Sequence, residues 1–210
     1  MTIDFRQAEK ELISAGVRLD HLGLAPATSG NYSIRLNDKE IAVTVSGNHK
    51  GKLKSGDFLR VDMDGKALED KKPSAETLLH CQIYKCYEKA HAILHTHSVA
   101  GTVLTRFFAD KDFITLKGYE MLKIYPGNTM NTHDISVHIP VFDNTQDMVE
   151  LASRVDIVLE ERPDLSVYLI RGHGLYAWGE TIEQAEYITE ATEMMLRCEL
   201  ETLKLKGAMR

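Results

Sequence analysis

Apolar residues recur at helical spacing from about residue 4 to residue 22, where Leu12, Ile13, Val17 and Leu19 predict one apolar face of an amphipathic helix. A run of small residues, Ala25-Pro26-Ala27-Thr28-Ser29-Gly30-Asn31, breaks that period. Three segments of β-type composition follow, over 32–36, 41–46 and 58–63, punctuated by Asn37-Asp38 and Asp64-Gly65 turns. Ser74 then stands as the N-cap of a predicted helix over 75–89. A buried-looking strand over 92–96 leads into a helix from about Val99. A loop rich in Gly, Pro and Asn, 125–134, precedes a strand near 137–142 and a helix over about 145–160. Strands over 167–170 and 175–178 and a long closing helix over 181–205 complete the pattern. The alternation is too irregular for a strict βαβ repeat and points to an α/β/α layered protein around a mixed or antiparallel sheet.

Composition narrows the class. Apolar residues make up 43% and charged residues 27%, within the ordinary globular range. The net charge of −6 argues against a broad nucleic-acid footprint, which needs clustered cations, while leaving room for one local cationic pocket. The start of the chain lacks the basic-then-apolar pattern of a secretory signal, and no apolar stretch reaches the ~18–20 residues of a membrane span. Cys81, Cys86 and Cys198 form a poor disulfide framework, so reduced thiols in the cytoplasm are expected.

The chemistry concentrates around Ile93-Leu94-His95-Thr96-His97-Ser98. On a strand, residues two apart share a face, so His95 and His97 present two imidazoles side by side. Either they begin a metal site, or they are a half-buried pair hydrogen-bonded to the backbone. His173, between Gly172 and Gly174, is the natural third ligand, because glycines let a turn approach another backbone closely. Three polar stretches could cradle an anion: Thr28-Ser29-Gly30-Asn31, Ser46-Gly47-Asn48-His49-Lys50 and Pro73-Ser74-Ala75. Each could equally be a simple turn or cap. Glu76, in the first turn after Ser74, reads as a helix-dipole carboxylate or a proton-transfer group. Glu120, among apolar residues after Gly118, reads as a carboxylate whose pKa an apolar pocket would raise.

Taken together, Ser29-Gly30-Asn31, Ser46-Gly47, Pro73-Ser74-Ala75-Glu76, His95-Thr96-His97-Ser98 and Gly172-His173-Gly174 resemble, in that order and over nearly the whole chain, class II aldolase/adducin-type domains. Gly118-Tyr119-Glu120-Met121, Ile139-Pro140-Val141-Phe142-Asp143-Asn144 and the run from Arg171 to Gly179 are similar to the sugar-phosphate dehydratase branch of that superfamily. The resemblance implies a single domain over 1–210, with a three-layer α/β/α fold around a mixed, largely antiparallel sheet. It implies one Zn²⁺ per subunit on His95, His97 and His173, with Glu120 as acid/base. Ser29, Gly30, Asn31, Ser46, Gly47 and Ser74 form the implied phosphate cradle, and Glu76 is a metal-contacting or proton-moving carboxylate. The implied reaction is a hydro-lyase step of methionine salvage on a 5-methylthio ketopentose 1-phosphate, in a homotetramer with sites near subunit boundaries. No nucleic acid or membrane partner is implied. Retro-aldol cleavage or 4-epimerisation on the same scaffold, and a non-catalytic adducin-like binding domain, are the competing expectations. Met121, Met130, Phe107 and Phe142 are candidate contacts for an apolar substrate tail, or plain core.

Overall fold

The computed structural model describes residues 3–127 and 135–208. Met130 lies outside them. Helix α1, Phe5–His21, starts where the Asp4 carboxylate accepts a hydrogen bond from the Gln7 amide (3.0 Å), an N-cap that satisfies an otherwise orphaned donor. Its buried face carries Leu12 and Leu19, whereas Val17 turns toward solvent. Strands β1 (Asn31–Arg35), β2 (Glu40–Thr44) and β3 (Phe58–Asp62) form an antiparallel meander. Helix α2 (Thr77–Cys86), strand β4 (Ala92–Thr96) and helix α3 (Val99–Phe107) follow. Then come β5 (Phe113–Lys117), β6 (Ser136–Phe142), α4 (Met148–Glu161), β7 (Val167–Ile170), β8 (Gly174–Gly179) and α5 (Ile182–Ala208).

The strands form one sheet in the order β3-β2-β1-β4-β8-β7-β6-β5. Among the described residues only β6 and β7 pair in parallel, so the sheet is mixed and largely antiparallel, as expected. Strand alternation sends each central strand's side chains to two separate cores. Ile93, Tyr168, Ile170, Tyr176 and Trp178 pack with Leu79, Ile83, Val155 and Leu159 of α2 and α4. On the other face, Val167, Leu169, Leu175 and Ala177 meet Leu104, Ile188 and Met195 of α3 and α5, while Ala92 and Leu94 meet α1. This gives three layers. Each fully buried Leu or Ile contributes roughly 1.5–3 kcal/mol of transfer free energy.

Three local expectations need correction. The helix expected from residue 75 begins at Thr77, with Glu76 at its N-cap position, and Ser74 lies before it as a loop residue. Strand β5 is not predicted from the sequence because it sits at the sheet edge with only Ile114 and Leu116 turned inward. Phe107 and Met121 are exposed, not core, while Phe142 is buried. The three cysteines are free thiols, as expected.

Candidate active site

Sheet register assembles the site. Asn31, the first residue of β1, pairs with His95 near the end of β4, and His95 also pairs with Tyr176 near the start of β8. The ends of these three strands therefore gather at one edge, where β8 is entered through the turn that carries His173. Gly172 in that turn has φ +65°, a conformation that glycine adopts without steric cost. The turn is clamped from behind. The Arg171 guanidinium pairs with Asp143 (2.5 Å) and donates to the carbonyls of Thr105, Phe108 and Lys111, at and just beyond the end of α3. The Gly172 amide donates to Thr105 Oγ1 (2.9 Å). The sequence alone does not single out Arg171 as a supporting group; its place two residues before His173 is the available signal.

The three imidazoles converge through Nε2. His97 Nε2 lies 3.0 Å, and His173 Nε2 3.3 Å, from His95 Nε2. Tetrahedral zinc with Zn–N bonds of ~2.0–2.1 Å would hold its nitrogens about 3.3 Å apart, so the donor set fits such an ion. His95 is fully buried, stacks on Tyr176 with centroids 4.0 Å apart, and donates Nδ1–H to the Leu175 carbonyl (2.9 Å). That bond fixes the tautomer and leaves the Nε2 lone pair for a metal. Burial pushes His95 down to about 3 and His97 to about 4, so both stay neutral and able to ligate at ordinary pH. His173 faces Asn144 Oδ1 through Nδ1 (3.4 Å).

Glu76 completes this cluster. Its Oε1 is 3.1 Å from His173 Nε2 and its Oε2 is 3.7 Å from His95 Nε2. Burial opposes its charge, but the imidazoles and the Asn31 amide outweigh that and hold the carboxyl well below the usual range. Glu76 is therefore an ionised base candidate, not merely a dipole carboxylate.

The predicted anion loops adjoin the histidines. Thr28, Ser29, Gly30, Asn31, Ser46, Gly47, Ser74, Glu76, His97 and His173 all line one cleft of about 250 Å³. A bridge between Val45 and Pro73 brings the Ser46–Gly47 and Ser74 loops together. Gly30, at φ +77°, passes so near β4 that a Cβ would lie 2.4 Å from the His95 carbonyl oxygen. Lys50 also lines the cleft, 1% exposed, donating Nζ–H to the carbonyls of Thr28 (3.0 Å) and Asn48 (2.7 Å). Burial lowers it to about 8, with the charge of Glu76 opposing. It ties two loops together and gives the cleft a cation; from sequence it reads only as the last residue of one loop.

Glu120 is elsewhere. It opens a short 3₁₀ turn, Glu120–Ile124, with its side chain 71% exposed and ion-paired to Lys123, and it does not line the cleft. The apolar surroundings read for Glu120 from its sequence neighbours are not found around it in this chain, where it is exposed to solvent.

Residues 10–200 match the family of class II aldolase and adducin N-terminal domains. The chain belongs to that family. It is 48% identical over 198 residues, 93% of its length and 87% of the other, to a methylthioribulose-1-phosphate dehydratase of Xanthomonas oryzae pv. oryzae (strain PXO99A). It is 47% identical over 203 residues, 96% of each chain, to the protein of the same name from Pseudomonas fluorescens (strain Pf0-1). Among solved folds, L-fuculose-1-phosphate aldolase from Thermus thermophilus superposes with a TM-score of 0.75 at 24% identity, over 94% of this chain and 96% of that one. A sugar-phosphate aldolase from Thermotoga maritima gives 0.71 at 22%, over 95% and 96%. The family's three-layer fold is the one described above.

Proposed function

We propose that this chain dehydrates 5-methylthioribulose 1-phosphate to 2,3-diketo-5-methylthiopentyl 1-phosphate, a hydro-lyase step of methionine salvage. The observation that carries this reading is the anion cleft opening directly onto three convergent imidazoles and an ionised carboxylate. Identity near 48% to dehydratases over most of the chain supports the substrate. His95, His97 and His173 would hold one zinc ion, which when bound supplies a Lewis acid for the C2 carbonyl and neighbouring hydroxyl oxygens.

The residues of the chain do the rest. Loop amides and hydroxyls of Ser29, Gly30, Ser46, Gly47 and Ser74, with the Lys50 ammonium, bind phosphate and fix which carbon faces the carboxylates. The hydrogen on C3 is acidic because C2 is a ketone. One carboxylate takes that proton, the C4 hydroxyl leaves as water after protonation, and the enol so formed tautomerises to the diketone. Glu76 stands inside the cleft; Glu120, directed outward, can serve as acid/base only in the cleft of a neighbouring copy. On this reading the family resemblance and the exposed position of Glu120 fit a homotetramer with sites at subunit boundaries, and the chain is one domain of a cytoplasmic enzyme. Among the described residues no helix is long and apolar enough to cross a membrane.

Incubation of the pure protein with methylthioribulose 1-phosphate, followed by NMR, tests the reading. Appearance of the diketone is expected. An unchanged substrate, with turnover of fuculose or ribulose phosphates instead, would overturn it in favour of aldol or epimerase chemistry.

A further inference from the structure

Behind the Glu76 carboxylate a chain of buried polar groups leads away from the cleft, starting at Asn31. Asn31 directs Nδ2 to Glu76 Oε2 (2.5 Å) and Oδ1 to His80 Nε2. His80, on α2, is fully buried and meets the Tyr176 ring edge-on at 5.6 Å between centroids. Its Nδ1 lies 2.7 Å from Ser33 Oγ, and Ser33 Oγ lies 2.9 Å from the Tyr84 hydroxyl. Ser33 and Tyr84 are themselves buried.

The sense of every bond follows from the first. The structure turns the Asn31 NH₂ group to the Glu76 carboxylate and its carbonyl to His80. A carbonyl only accepts, so His80 must carry its proton on Nε2. A neutral ring has one N–H, and burial keeps this ring neutral down to about 4. Nδ1 therefore accepts from Ser33, and Ser33, having used its single proton, accepts from Tyr84, whose hydroxyl, with one hydrogen to give, lies closer to Ser33 Oγ (2.9 Å) than to the His91 carbonyl (3.3 Å). Rotating the Asn31 amide end for end would place its oxygen against the carboxylate and its NH₂ against the His80 N–H. Both faces of the flipped amide would then be mismatched in a buried site.

We propose that His80 is a positioning residue: fixed as the Nε2–H tautomer by Ser33 and Tyr84, it locks the Asn31 amide, which holds the Glu76 carboxylate facing the histidine cluster. The function of this relay rests on the proposed role of Glu76; the tautomer itself does not. It also gives Asn31 a duty distinct from its expected place in the phosphate cradle, since its carbonyl is committed to His80 and one amide hydrogen to Glu76.

Imidazole ¹⁵N NMR on the full chain reads the tautomer without turnover. The Nε2–H form is expected at His80, and an Nδ1–H or doubly protonated ring at neutral pH overturns the proposal. For the functional half, His80→Phe keeps a ring against Tyr176 and removes both nitrogens. Its kcat should fall on the order of 10–100-fold, as for groups that orient a metal-site residue, with zinc per chain unchanged. KM should stay within about two-fold, because binding is left intact. His80→Gln, which retains an N–H donor, should recover part of kcat, and Ser33→Ala should show a smaller loss of the same kind should the ring variants fold poorly. An unaltered kcat in the folded variants, or a raised KM at constant kcat, overturns it. A wild-type protein inert toward the ketose phosphate would refute the proposed reaction while leaving the NMR result decisive for the relay.

Discussion

Gly174 lies so close to Thr96 that a Cβ there would sit 2.2 Å from the Thr96 carbonyl oxygen, 2.8 Å from His95 Cε1 and 3.1 Å from His97 Cδ2. The absent side chain is what lets the third histidine's turn close over the other two. Gly174→Ala is expected to cost about 1–3 kcal/mol through overpacking. It should also lower zinc per chain, because the displaced atoms belong to two ligand rings. Thermal unfolding together with metal analysis checks this; full zinc occupancy in the variant would show that the turn can relax.

Removing a ligand and removing a carboxylate should separate. His97→Ala should lose zinc and turnover together, whereas Glu120→Gln should keep zinc and lose most turnover. If Glu120 serves a neighbouring copy, dissociating and reassembling the two inactive variants together should restore activity, since some clefts then combine an intact His97 with an intact Glu120. Mixed assemblies with no recovered activity would place Glu120 outside the reaction.

Lys50 predicts a pH effect on binding. Its ammonium, lowered to about 8 by burial, is present below that pH and lost above it. The kcat/KM for a phosphate-bearing substrate should therefore decline as pH rises through about 8. Lys50→Met should be weak at all pH values and lack this limb. A profile with the same basic limb in the variant would assign the titration to another group.

Glu193, on the buried face of α5, provides a stability test away from the cleft. Burial raises its carboxyl from 4.5 to about 7, opposed by the Ser98 hydroxyl. Because the folded state prefers the neutral form, its contribution is fully favourable below about pH 4.5 and is lost as pH rises to about 7, by about 3 kcal/mol. Glu193→Gln should match the wild type near pH 4.5 and exceed it in Tm at pH 8. An equal Tm difference at both pH values would refute the assignment.

Much of the architecture was legible in the sequence for identifiable reasons. Strands β4 and β7 and the start of α3 follow directly from apolar runs bounded by Ser98 and by polar turns. The shared face of His95 and His97 follows from the two-residue period of a strand. Strand β5 escaped because an edge strand buries only alternate residues, here Ile114 and Leu116, and leaves Phe113 in solvent. Ser74 misled as a cap because its hydroxyl serves a turn, accepting from the Glu76 amide (3.3 Å), ahead of a helix that begins later.

By itself the sequence determined the types of group available: three imidazoles, two carboxylates, and loops rich in glycine and hydroxyls. Periodicity and turn chemistry are local, so they also determined most elements. Only the tertiary structure decided which groups meet. The pairing of Asn31 with His95 and of His95 with Tyr176 is a matter of register between strands far apart in the chain, which no local pattern encodes. That register put Glu76 beside His173, buried Lys50 in the cleft and threaded His80 behind Asn31, while Glu120 stayed exposed beside Lys123. Proximity across a sheet is set by how two hydrophobic faces pack, and that packing is a property of the whole chain.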